Sequence, residues 1–95
     1  MTNGKAYTVK EWFANKLANE IGRNITACDI FAVLKETEKA AYCLVSIGGG
    51  RRKTTWIPKS VIIEYNDEYG GINVTFEEDY ETAVKLFETY WDSFR

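Results

Sequence analysis

The stretch Ala41-Tyr42-Cys43-Leu44-Val45-Ser46-Ile47-Gly48-Gly49-Gly50-Arg51-Arg52-Lys53-Thr54-Thr55-Trp56-Ile57-Pro58 decides the fold. Ala41, Cys43, Val45 and Ile47 alternate with Tyr42, Leu44 and Ser46, which is the period-two pattern of a strand. Three glycines and two arginines then break the chain at a hairpin tip. Thr54-Thr55-Trp56-Ile57 resumes a strand. Pro58 has no N–H for a ladder bond, so the chain must leave regular pairing there or run along an edge.

Working outward, Glu36-Thr37-Glu38-Lys39 is a polar turn of hairpin length. Before it, Ile25 to Lys35 is rich in β-branched and aromatic residues and reads as a strand. After Pro58, Val61 to Tyr65 and Ile72 to Phe76 are further strand candidates. Asn66 to Gly71 turns between them, with Gly70-Gly71 supplying permissive backbone.

Both ends of the chain read as helices. Thr8-Val9-Lys10-Glu11 fits a capping box, with Tyr7 and Trp12 placed as a hydrophobic staple. Val9, Phe13, Leu17 and Ile21 follow at spacing four, and Gly22 is a natural stop. At the other end Glu77, Glu78 and Asp79 open a helix whose dipole favours them. Tyr80, Ala83, Val84, Phe87, Tyr90, Trp91 and Phe94 share an arc of about 120° on a helical wheel. The expected fold is α+β: an antiparallel sheet of four to five strands flanked by an N-terminal and a C-terminal helix, both on one face. A small five-stranded barrel with terminal helices is the alternative.

The 95 residues suit a single domain spanning 1–95. Apolar residues at 45% and fourteen aromatics supply one core and argue against disorder. No stretch approaches a membrane span, and Met1 to Lys10 lacks the apolar run of a secretory signal. A reducing cytoplasm is therefore expected, with Cys28 and Cys43 as buried thiols. Histidine is absent, which removes the commonest general base and the commonest metal ligand. No cofactor and no metal site are expected.

Charge is sorted by position. Residues 1–63 carry ten Lys/Arg against five Asp/Glu, and residues 64–95 carry two against nine. Such asymmetry speaks of partners rather than fold. Glu64, Asp67, Glu68, Glu77, Glu78, Asp79 and Glu81 run without an intervening Lys or Arg. Read functionally, their carboxylates stand where phosphates would stand and compete for an Arg/Lys-rich cleft, with Tyr69 or Trp56 as an aromatic anchor. Read structurally, they are a solvated face and a helix start. The spacing lacks a calcium-loop pattern.

The tip Gly48-Gly49-Gly50-Arg51-Arg52-Lys53 is the second candidate. Arg forks suit phosphate, glycines admit an anion to backbone donors, and Trp56 can stack on a base. The plainer reading is a solvated turn. The tip is not a phosphate-binding loop, since no Lys-Ser/Thr opens a helix after it. Catalysis has the weakest case, and no enzyme is expected. Glu36 and Glu38 share a strand face without a marked pocket, Ser46, Ser60 and Ser93 lack a histidine base, and Lys39 or Lys59 would need burial to act as nucleophile.

Glu36-Thr37-Glu38-Lys39-Ala40, a strand, a Gly-rich turn and Trp56-Ile57-Pro58-Lys59-Ser60 together resemble small proteins of phages and other mobile elements, over residues 33–63. The resemblance transfers no functional residue. It implies a context: a non-enzymatic protein that binds and inhibits a host nucleic-acid-handling protein, of which anti-CRISPR inhibitors of a CRISPR effector are one group. Direct nucleic-acid binding through Arg51, Arg52, Lys53 and Trp56 is the competing expectation. A homodimer, through an exposed sheet edge or an unburied tryptophan, is the third.

Overall fold

The computed structural model describes residues 1–22, 24–65 and 71–93. The chain runs β1 (Tyr7–Val9), α1 (Glu11–Ile21), β2 (Asp29–Glu36), β3 (Ala40–Gly48), β4 (Arg51–Pro58), a 3-10 turn (Lys59–Val61), β5 (Ile62–Glu64), β6 (Thr75–Phe76) and α2 (Tyr80–Asp92). The expected α+β class holds, with six strands in an open sheet rather than a barrel. The order is β4-β3-β2-β1-β5. The short β6 lies parallel beside the second half of β2, pairing Thr75 with Ala32 and Phe76 with Val33, and every other pairing is antiparallel.

The β3–β4 hairpin forms as its sequence dictates. Gly49 and Gly50 have φ of 63° and 75°, and these are the two central residues of a type I′ turn. Gly48 pairs with Arg51, and Tyr42 pairs with Trp56 further down the ladder. Gly48 itself has φ of 98°, and a Cβ there would run into the Thr26 hydroxyl. The preceding turn is also local. Thr37 N–H donates to Ala40 O at 2.8 Å, and the Thr37 hydroxyl sits 3.1 Å from both Ala40 N and Ala40 O.

The alternation along β3 divides the sheet into two faces. Ala41, Cys43, Val45 and Ile47 join a core with Phe13 and Leu17 of α1. Leu44 joins a core with Ala83 and Phe87 of α2, and Tyr42, Val84, Tyr90 and Trp91 pack against it. The helices therefore lie on opposite faces, which corrects the expectation that both cover one. β2 also serves both cores, and bulges break its alternation. Its register against β3 shifts between Ile30 and Ala32 and again between Val33 and Lys35. Phe31 and Ala32 are thereby turned to the α2 side together, and five consecutive residues are buried.

The N-terminal reading needs a second correction. Thr8 does not cap a helix. It lies in β1, paired with both Asp29 and Ile63, and its hydroxyl donates to Cys28 O at 2.7 Å. Tyr7 and Val9 are buried strand residues, Trp12 is exposed, and no staple forms. α1 starts at Glu11 with Lys10 as its N-cap and ends on Gly22 at φ of 74°. Alternation of Tyr7 and Val9 was hidden by the stronger period-four signal that follows. Three strands are shorter than the sequence suggests, since β2 begins at Asp29, β5 covers Ile62–Glu64 and β6 has two residues, whereas β4 is longer, already beginning at Arg51.

Candidate functional site

Acidic side chains gather where β6 leads into α2. Glu77 N–H donates to Val33 O at 3.0 Å, which ties this segment to β2. Glu77 Oε1 accepts from Asp79 N–H at 3.1 Å. Asp79 is the N-cap of α2, and its Oδ2 accepts from Thr82 N–H at 3.1 Å and from the Thr82 hydroxyl at 2.6 Å. Those hydrogen bonds from Thr82, with a smaller effect from Lys85, hold the Asp79 carboxyl below its ordinary range. Asp79 is thus occupied in shaping the helix. Glu78 and Glu81 are exposed beside it and Glu77 is half-buried. Among the described residues, no Lys or Arg forms an ion pair with Glu77, Glu78, Asp79 or Glu81.

Two large apolar side chains stand next to these acids in the chain. Phe76 is 42% exposed and Tyr80 is 49% exposed. The result is the surface sequence Phe76-Glu77-Glu78-Asp79-Tyr80-Glu81, with negative charge set between aromatic rings. In sequence Tyr80 belongs to the apolar arc of the C-terminal helix and Phe76 closes a strand candidate, yet both are exposed. Phe76 is the last residue of the two-residue β6, and Tyr80 is the first residue of α2. Their adjacency to the acid run is the signal that finds them.

The remaining acids stand apart from this patch. Glu64 is on β5 opposite Tyr7, and it meets Lys5 Nζ at 3.2 Å. Asp67, Glu68 and Tyr69 lie outside the described residues. Glu36 accepts from Lys59 Nζ at 2.9 Å and lies 3.7 Å from the Met1 ammonium. The Lys59 contact pulls the Glu36 carboxyl below its usual value. Glu36 and Lys59 are therefore partners in an ion pair that staples the β2–β3 turn to the end of β4. Ser46 is buried under the sheet.

The basic candidates do not form one surface. Arg51 is a latch: its Nε donates to Gly48 O at 3.1 Å and its Nη2 to Asn24 O at 3.2 Å. Cross-strand partners put Arg52 and Trp56 on the α2 side, opposite Ser46 and Tyr42, and Lys53 on the α1 side, opposite Val45. Arg52 lies 3.9 Å from Glu88 and 6.0 Å from the centre of the Phe87 ring. Trp56 is 47% exposed and rests against Tyr42 at 5.2 Å between ring centres. An open groove of about 270 Å3 lies beside Arg52, lined by Gly50, Phe87, Glu88, Trp91 and Asp92.

Both cysteines are free thiols buried on the α1 side. Burial pushes Cys28 up to about 11 and Cys43 up to about 12, so neither is a thiolate near neutral pH. Among the described residues no group of His, Cys, Asp or Glu could hold a metal ion, and no helix is long and apolar enough to cross a membrane. In comparisons with known proteins, no family model, no curated protein and no solved structure matches this chain.

Proposed function

We propose that this protein is a non-enzymatic binding protein whose patch at the start of α2 engages the basic cleft of a nucleic-acid-handling partner. The observation that carries this reading is the contrast between the two charged regions. Among the described residues Glu77, Glu78 and Glu81 have no ion-pair partner, and exposed Phe76 and Tyr80 lie beside them in the chain. Arg51 and Arg52 are engaged within the protein, and Lys53 faces the other side of the sheet. Carboxylates on a rigid helix start, flanked by apolar anchors, suit a cleft built for phosphate and base. The phage-like middle of the chain makes a CRISPR effector the first partner to try, with inhibition by occupation of its DNA channel.

The test is a competition. Labelled DNA is bound to a panel of purified effector–guide complexes, and its anisotropy is followed as the protein is added. Displacement that weakens with rising salt is the expected result. Absence of displacement from every complex overturns the effector reading. A mobility shift of single- or double-stranded DNA by the protein alone, at low salt, would favour direct nucleic-acid binding instead.

A further inference from the structure

β4 is the long free edge of the sheet, the three-residue β5 being the other end, and its chemistry suits one occupant. Lys59 N–H donates to Lys39 O at 2.8 Å, so the neighbouring pair Ala40–Pro58 is a non-hydrogen-bonded one. Stepping back along β4 in twos, Arg52, Thr54 and Trp56 direct their N–H and C=O groups away from β3. Pro58 directs its missing donor outward as well, which is why a proline is tolerated there. Half of the backbone groups of an eight-residue strand therefore face outward, and no strand among the described residues pairs with them.

We infer that a second copy of this chain pairs with that edge, antiparallel, about a two-fold axis through Thr54. The register follows from charge and from the missing Pro58 donor, which leaves Arg52 short of a partner when the axis passes through Thr55. Centring on Arg52 or Lys53 would set like cations directly opposite each other, which is destabilising. Centring on Thr54 sets Thr54 against its own copy, Lys53 against Thr55, Arg51 against Ile57, and Arg52 against Trp56. Every outward N–H from Arg52 to Trp56 then finds a carbonyl, giving about six main-chain hydrogen bonds across the axis. The Arg52–Trp56 pair occurs twice, once on each side of the axis, and both members project on the α2 side. A guanidinium over an indole is a favourable pair. The groove beside Arg52, lined in part by Phe87 and Trp91, lies next to where this register delivers the second copy's Trp56. It would cover the half-exposed face of that indole.

Light scattering and cross-linking test the pairing. The wild-type mass is expected to rise to twice 10.9 kDa with concentration and to stay there in high salt. Thr54→Pro removes a donor that no internal bond uses, so it is expected to leave the circular dichroism unchanged and the mass at 10.9 kDa. Should that variant unfold, Trp56→Ala is expected to weaken the dimer about tenfold or more through loss of the two stacked pairs. Thr54→Cys is expected to cross-link to its copy with a short bismaleimide, against a silent background from buried Cys28 and Cys43. A monomer at every concentration overturns the inference. So does a dimer that survives Thr54→Pro, one that dissolves in salt, or one that fails to cross-link through position 54. Glu77, Glu78 and Glu81 variants are expected to keep the dimer, which separates this surface from the acidic patch.

Discussion

Gly48 shows how one residue fixes a junction. Its positive φ and its contact with Thr26 leave no room for a side chain, and Arg51 reaches back to its carbonyl. Gly48→Ala is expected to lower the melting temperature by more than a change at the open Gly50, measured by thermal unfolding. The two buried thiols give a pH expectation. Their folded values of about 11 and 12 lie above the ordinary 9.0, so the folded state favours the neutral thiol. This contribution is whole below pH 9 and is lost as pH rises toward 11 and 12. Denaturant midpoints should therefore fall across that alkaline window, and Cys43→Ala should flatten the fall. Glu36 acts at the other end of the scale. Its carboxyl is depressed by Lys59, so its contribution is present above the ordinary carboxylate range and is lost as pH falls through its folded value. Lys59→Met should shift the acid unfolding midpoint upward.

At the scale of elements, the glycine turn and the alternation of β3 were legible because a hairpin needs only local chemistry. The two helices were legible in kind, since their apolar stripes have the right period. What the sequence concealed was relational. Period-two alternation says that β3 has two faces but not that each is covered by a different helix. Phe31 and Leu34 read as ordinary strand residues, yet the bulges around them turn three of the five buried positions of β2 to the α2 side. Thr8 fitted a capping box by composition and was claimed instead by β1, where pairing on both sides outweighs a single cap. The aromatic cluster of Phe31, Phe87 and Tyr90, with ring centres 5.3 and 5.7 Å apart, is the joint between sheet and α2. Phe87→Ala is expected to cost ~3–5 kcal/mol in chemical denaturation. A cost below ~1 kcal/mol would mean that α2 contributes little to the α2-side core.

For the whole molecule, the charge asymmetry visible in the sequence becomes a question of which charges are free to meet a partner. Folding ties Arg51 to carbonyls, Arg52 to Glu88, Lys59 to Glu36 and Lys5 to Glu64. Among the described residues it leaves Glu77, Glu78 and Glu81 without ion-pair partners at the head of α2. Little of this selection was readable in one dimension, because apart from the local Arg51–Gly48 bond each pairing joins residues far apart in the chain. The most direct measurement compares two variants in the DNA-displacement titration. One changes Glu77, Glu78 and Glu81 to Gln, which preserves the oxygen that accepts from Asp79 N–H. The other changes Arg52 and Lys53 to Gln. The expected result is about tenfold or greater loss of displacement in the first and little change in the second. Full displacement by the acid-to-amide variant would contradict the assignment of the α2 patch as the binding surface.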